Sequence, residues 1–148
     1  MTTRALLESD LETVAEIERE CFLEPWTTGM LSGSFSRADF CGLLLEQDGE
    51  AVGYICGETL FENAEIARVA VKTAHRRKGH GERLLTAFEN AVIARGASAV
   101  FLEVRAGNVA ARSLYEKSGY FATRVRKRYY ADGEDAVEMK KELKNGQP

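Results

Sequence analysis

Few of the commonest ligand-binding signatures occur in this chain. Its three cysteines, Cys21, Cys41 and Cys56, stand far apart with no C-x-x-C pair, and the two histidines complete no zinc cluster with them at any usual spacing. Reduced, mostly buried thiols in a cytoplasmic protein without a metal are therefore expected. No apolar run approaches ~20 residues and the first residues hold no signal-peptide core, so neither secretion nor a membrane span is expected. Positive charge is not in excess: 20 Lys and Arg against 23 Asp and Glu leave a net charge of −3, which argues against binding nucleic acid through the whole surface. There is no G-x-G-x-x-G dinucleotide fingerprint and no G-x-x-x-x-G-K-[ST] phosphate loop.

What the chain does have is Arg76-Arg77-Lys78-Gly79-His80-Gly81. Upstream, Val69-Ala70-Val71 reads as the end of a buried strand. Downstream, Leu84, Leu85, Phe88, Val92 and Ile93 recur at helical spacing. Three cations and two glycines thus fall where a helix begins, where unpaired N–H groups and the helix dipole favour an anion. Glycine admits a close backbone approach, and Arg or Lys adds charge-assisted bonds to phosphate. The backbone from Arg77 to Glu82 is expected to cradle a pyrophosphate.

With 148 residues, 45% hydrophobic and 29% charged, the chain fits one globular domain, expected over 1–143 with a frayed tail at 144–148. Strands are expected at 4–7, 40–47, 51–61, 65–71, 98–104, 119–130 and 135–143. Helices are expected at 11–22 with Asp10 as cap, from Thr27 or Thr28, from the basic loop to Gly96, and from the cap Asn108 to 117. The apolar stripe of the first helix has one polar interruption, Glu18. The order β α α β β β α β α β β is a mixed α/β arrangement and rules out a simple doubly wound sheet.

Arg76-x-x-Gly79-x-Gly81 resembles the coenzyme A pyrophosphate loop of the GNAT family of N-acetyltransferases. A more specific likeness is carried by Phe101-Leu102-Glu103-Val104-Arg105-Ala106-Gly107-Asn108 followed by Ser113-Leu114-Tyr115-Glu116-Lys117-Ser118-Gly119-Tyr120. This pair is similar to the L-E-V-R-x-x-N…A-x-x-L-Y-x-x-x-G-F segment of the RimI-type ribosomal-protein alanine N-acetyltransferases. Glu24-Pro25-Trp26-Thr27 and Arg126-Lys127-Arg128-Tyr129-Tyr130 have counterparts there too. The resemblance covers residues 4–143. It implies a mostly antiparallel central sheet with flanking helices, whose fourth and fifth strands splay to admit the pantetheine arm of acetyl-CoA. On that reading Val69, Ala70 and Val71 pair with the arm, and Arg76, Arg77, Lys78, Gly79, His80, Gly81, Glu82 and Asn108 hold the rest of the coenzyme. Trp26 and Tyr129 then line the acceptor site.

Direct acetyl transfer needs a neutral amine, a stabilised oxyanion and a proton for the departing thiolate. Asn108 and Tyr115 are seven residues apart and share one helix face. A tyrosine hydroxyl near the thioester sulfur can supply that proton, and with the resemblance Tyr115 is the candidate acid. Glu103 at a strand end is the candidate base, and a backbone N–H near Val71 the implied oxyanion donor. Plainer roles stand beside these: Glu103 paired with Arg105, Tyr115 at a core edge, and Arg124 to Arg128 as a solvated face or a steering patch. Cys56 has no adjacent base, so an acyl-cysteine route is not expected. An α-amine of pKa ~7.7–8.0 offers far more neutral nucleophile near pH 7.4 than a lysine at ~10.4, which favours a protein N-terminus. The RimI-type likeness implies the N-terminal alanine of a small-subunit ribosomal protein, with no direct nucleic acid required. Arg68 and Lys72 depart from the family pattern beside the expected cleft and oppose a polyamine acceptor. A small-molecule or lysine acetyltransferase and a non-catalytic acyl-CoA sensor are the alternatives; the joint presence of Glu103 and Tyr115 speaks against the sensor.

Overall fold

Alternation and turn chemistry set the first half of the sheet. Phe40–Gln47 (β2) and Glu50–Leu60 (β3) are antiparallel and joined at Asp48-Gly49, where both residues have positive φ (53° and 78°). That is the two-residue hairpin which an Asp-Gly pair favours. Thr2–Ala5 (β1) pairs with β2, two residues earlier in the chain than the sequence suggests, and Asn63–Val71 (β4) pairs with β3. The computed structural model describes residues 1–143, so the expected tail at 144–148 lies outside the described residues.

Two of the four α-helices among the described residues start where a short polar side chain satisfies a free N–H group. A third starts at Gly79, which has no side chain to cap it, and the first starts without a side-chain cap. Thr27 Oγ1 accepts from Met30 N–H at the head of Thr28–Phe35 (α2), and Asn108 Oδ1 accepts from Ala111 N–H at the head of Val109–Lys117 (α4). Asp10 makes no such bond to Leu11–Cys21 (α1). A 3₁₀ turn, Glu8–Asp10, precedes that helix, and the Asp10 carboxylate accepts from Leu7 N–H (2.7 Å) and from the Arg4 guanidinium (2.8 Å). The stronger, charge-assisted partner wins it, and Arg4 holds its carboxyl below the usual range. His80–Ile93 (α3) ends before Gly96, which has φ +96° and lets the chain turn back.

Ala99–Arg105 (β5), Phe121–Arg126 (β6) and Ala136–Glu142 (β7) complete a sheet of order β1-β2-β3-β4-β5-β7-β6. Every neighbouring pair is antiparallel except β4 and β5. The strand expected over 119–130 stops at Arg126, because residues 127–135 form a long loop rather than one tight turn at Asp132-Gly133. One face of the sheet is packed by α3, with Leu84, Leu85, Phe88 and Val92 against Ile55, Ile66, Val100, Leu102 and Met139. α4 joins this side through Ala111, Leu114 and Tyr115. α1 and α2 cover the other face over β2, β3 and β4, where Leu11, Val14 and Ile17 meet Leu44, Tyr54 and Ala70. Leu102 and Val104 point to the α3 side, so Glu103 between them points to the α1 side, level with its cross-strand neighbour Glu138.

Candidate active site

The parallel pairing of β4 with β5 stops almost at once. Asn63, Ala64 and Glu65 meet Ala99, Val100 and Phe101, and beyond that point the two strands diverge to Val71 and Arg105. The inner edge of β4 from Ile66 onward is therefore unpaired by β5. Its usable groups follow from the ladder on the other side. Lys72 N–H donates to Val52 C=O (2.8 Å), which marks Val52/Lys72, and two residues back Tyr54/Ala70, as hydrogen-bonded pairs with β3. The N–H and C=O groups of Val69 and Val71 then face the open gap. A polyamide ligand can complete this edge as an added strand. The Val71 carbonyl is already in use, accepting from Arg76 Nε (2.9 Å) and from Cys21 Sγ (3.4 Å), while its N–H is turned to the gap.

At the mouth of the gap the basic loop enters α3 through two left-handed residues, Arg77 (φ +63°) and Gly79 (φ +81°). Arg76, Arg77, Lys78 and Gly79 are exposed, so cations and free N–H groups stand at the helix N-terminus. The His80 side chain is instead buried, and that burial, with His75, Lys78 and Arg83 nearby, lowers its pKa. Only the backbone of His80 is offered to a ligand. The two glycines do different work. A Cβ on Gly79 would meet nothing within 4 Å, so its requirement is the positive φ; a Cβ on Gly81 would lie 2.9 Å from Leu114 Cδ2, so its requirement is close packing of α3 on α4. Gly79→Val is expected to weaken coenzyme binding about 5- to 30-fold by straining the loop, on the order of 1–2 kcal/mol. Gly81→Val is expected to lower the melting temperature as well. Calorimetric titration with CoA and thermal melts separate the two.

Tyr115 and Glu103 lie on opposite sides of the sheet. Tyr115, on α4, packs edge-on against Tyr120 at 6.0 Å, and burial pushes its phenol up to about 12, so it stays protonated across neutral pH. Glu103 lies on the far face in contact with Arg126, and the Tyr129 phenol is raised by its hydrogen bond to Glu103. Arg105 is not the partner of Glu103. It pairs with Asp132 (2.9 Å) and Glu134 (3.0 Å) and stacks on Tyr130 at 4.1 Å, which fixes the 127–135 loop beside the site. Three of the four cations of this run are paired locally: Arg124 meets Glu138, Arg126 meets Glu103 and Glu138, and Lys127 meets Asp135, while Arg128 is exposed. Asn108 gives its side-chain oxygen to the α4 cap, leaving only its amide nitrogen for a ligand.

On the Glu103 side a cleft runs between α2 and β4, lined by Trp26, Arg37, Phe40, Glu58, Glu65 and Ala67 among others. Burial, then the charges of Glu103, Glu58 and Glu138, raise the Glu65 carboxyl. Arg68 and Lys72, the two departures from the family pattern, each have an acidic neighbour: Arg68 the buried Glu18 (3.1 Å) and Lys72 the exposed Glu50 (3.9 Å). Burial pushes the Cys56 thiol up to about 12, which removes it as a nucleophile near neutral pH.

The sequence profile of the acetyltransferase (GNAT) family matches residues 11–120. The chain belongs to the GNAT family. An uncharacterized N-acetyltransferase of Methanocaldococcus jannaschii is 39% identical over 146 residues, covering 98% of this chain and 94% of its own. A [ribosomal protein bS18]-alanine N-acetyltransferase of Haemophilus ducreyi is 34% identical over 138 residues, covering 90% and 94%. The crystal structure of the ribosomal-protein-S18-alanine N-acetyltransferase from Escherichia coli superposes with a TM-score of 0.89 at 29% identity, over 96% of this chain and 93% of that one. The chain is thus an enzyme of the GNAT acetyltransferase class with RimI-like relatives, and acetyl-CoA is the donor that class uses.

Within this GNAT chain, sequence reading missed three contributors. Arg126 was visible only as part of a basic run, although it faces Glu103. Tyr130 holds the Arg105 guanidinium 4.1 Å from its ring centre and packs edge-on against Tyr129 at 5.1 Å, and burial raises its phenol. Glu18, the polar break in the stripe of α1, is completely buried and anchors Trp26 through its N–H (2.8 Å).

Proposed function

We propose that this chain moves acetyl from acetyl-CoA to the N-terminal amine of a protein, the N-terminal alanine of a small-subunit ribosomal protein being the acceptor its named relatives favour. The observation that supports this reading is the gap between β4 and β5, with Tyr115 on the α4 side of the sheet and Glu103 on the other. The coenzyme arm adds to Val69 and Val71 from the side of the basic loop, and the acceptor amine arrives past Trp26 and Tyr129. The amine nitrogen attacks the thioester carbon while the Val71 N–H bonds to the developing oxyanion. The carbon–sulfur bond then breaks, Tyr115 gives its proton to the thiolate, and the proton lost by the amine passes to Glu103, directly or through water. The three unpaired thiols support a reducing, cytoplasmic setting.

The test is product mass spectrometry with acetyl-CoA and peptides beginning Ala, Ser or Met, beside an N-blocked peptide with an internal Lys. Acetylation of the Ala peptide on its α-amine supports the reading; faster acetylation of the blocked peptide overturns it. One observation favours a second reading, a small polyamine acceptor. Glu58 and Glu65 line the cleft, and the two cations that opposed such a ligand are already paired. A polyamine acetylated faster than every peptide decides for it.

A further inference from the structure

Glu18 is a carboxylate at 0% exposure in the apolar stripe of α1, and all its bonds run to one place. Its Oε1 accepts from Trp26 N–H (2.8 Å) and from the Arg68 guanidinium (3.1 Å), and its Oε2 accepts from the Tyr54 hydroxyl. Arg68 in turn meets every second residue of the connection between α1 and α2. Its guanidinium lies 4.1 Å from the Phe22 ring centre and 4.6 Å from that of Trp26, and it donates to Glu24 C=O (3.1 Å). The connection at 22–27 is therefore clamped between a helix residue and a residue of β4, the strand whose opposite edge is open.

A buried ion pair is a poor way to gain stability, because desolvation offsets most of its attraction and a well-packed apolar pair often serves as well. What it does supply is a fixed direction: the planar guanidinium accepts rings on both faces and a carbonyl at its edge. We infer that Glu18 and Arg68 are positioning residues that hold the acceptor-binding loop at 22–27 in its working shape by tying it to the coenzyme strand. This rests on the proposed acceptor site beside Trp26. The pair acts through Trp26, and the variants are accordingly expected to change acceptor recognition and leave the donor side alone.

Trp26 is the single tryptophan of the chain, so its emission reports the loop directly. Glu18→Gln keeps the shape of the side chain but leaves Arg68 without its counter-charge. If the loop is then in its working shape only about one tenth of the time, acceptor KM rises about tenfold. The expected result for Glu18→Gln is that rise in KM, with kcat within about threefold of wild type, unchanged calorimetric affinity for acetyl-CoA, and red-shifted, more quenchable Trp26 emission. Arg68→Met, which also removes the ring and Glu24 carbonyl contacts, is expected to do at least as much, and the double variant less than the sum of the two, since the ion pair is shared. Unchanged KM and emission, a fall in kcat at constant KM, or a matching loss of acetyl-CoA affinity overturns the inference. Should Glu18→Gln fail to fold, Arg68→Met, whose side chain reaches solvent, carries the same readouts. Should wild type acetylate no peptide, the acceptor reading fails by itself. The emission of the two variants at an unchanged melting temperature still decides the clamp: a red shift supports it, and no shift overturns it.

Discussion

Tyr115→Phe is expected to lower kcat by ~10²-fold or more while leaving acetyl-CoA affinity nearly intact. The phenol is required when charge develops on sulfur, not when the thioester binds, so the loss belongs to the transition state alone. The surroundings of Tyr115 strengthen this expectation. Its ring is packed edge-on with Tyr120, whose hydroxyl is bonded to Glu89 (2.9 Å), so the variant keeps the ring in place and removes only an oxygen. Burial holds the phenol at about 12, above its ordinary value near 10, so it remains the protonated, donating form at every pH from 6 to 9. The ratio of wild-type to variant kcat should then be flat across that range. Single-turnover rates with isothermal titration of acetyl-CoA check both halves. A near-normal single-turnover rate removes Tyr115 from the mechanism.

Glu103→Gln should behave oppositely with pH. An α-amine with pKa ~7.7–8.0 is only about 1–2% neutral at pH 6 and about 90% neutral at pH 9. A base is needed most where the amine is mostly protonated, so the variant should lose ~10² in kcat or more at low pH and recover part of it above pH 8. Two other fates for Glu103 are distinguishable. If its carboxylate only binds the acceptor ammonium, the loss falls on acceptor KM. If it only neutralises Arg126, the loss falls on thermal stability, and Arg126→Met restores it. A ratio of wild-type to variant kcat that is flat from pH 6 to 9 on an Ala-initiated peptide counts against the base.

Much of the fold was legible because the deciding chemistry is local. Asp48-Gly49 takes positive φ at both positions, Thr27 and Asn108 reach the N–H three residues on, and Gly96 turns left-handed after α3. Local rules failed where a partner from another element outbid them. Asp10 left its helix for Arg4, and the loop after Arg126 was drawn out by Arg105, which binds Asp132 and Glu134 at its far end. The candidate site shows the same division. The glycine loop and the Glu103 and Tyr115 segments could be read directly, since each is a continuous run. The Arg126 contact could not, because β7 inserts between β5 and β6 and sets Glu103 and Arg126 across a strand that comes after both. Nor could the pairing of Glu18 with Arg68, whose partners lie fifty residues apart.

An ordinary sheet keeps its free edge at the rim, where any extended chain can join it. Here one lies inside the sheet, between strands already fixed at Glu65 and Phe101. The wedge narrows to hydrogen-bonding distance at its closed end, where Asn63, Ala64 and Glu65 still pair with Ala99, Val100 and Phe101. On the proposed function the donor fills this gap, so donor binding and the folding equilibrium are linked. At a free donor concentration a hundred times its dissociation constant, the native state gains ~2.7 kcal/mol. The stability of the fold would then rise with the free donor concentration.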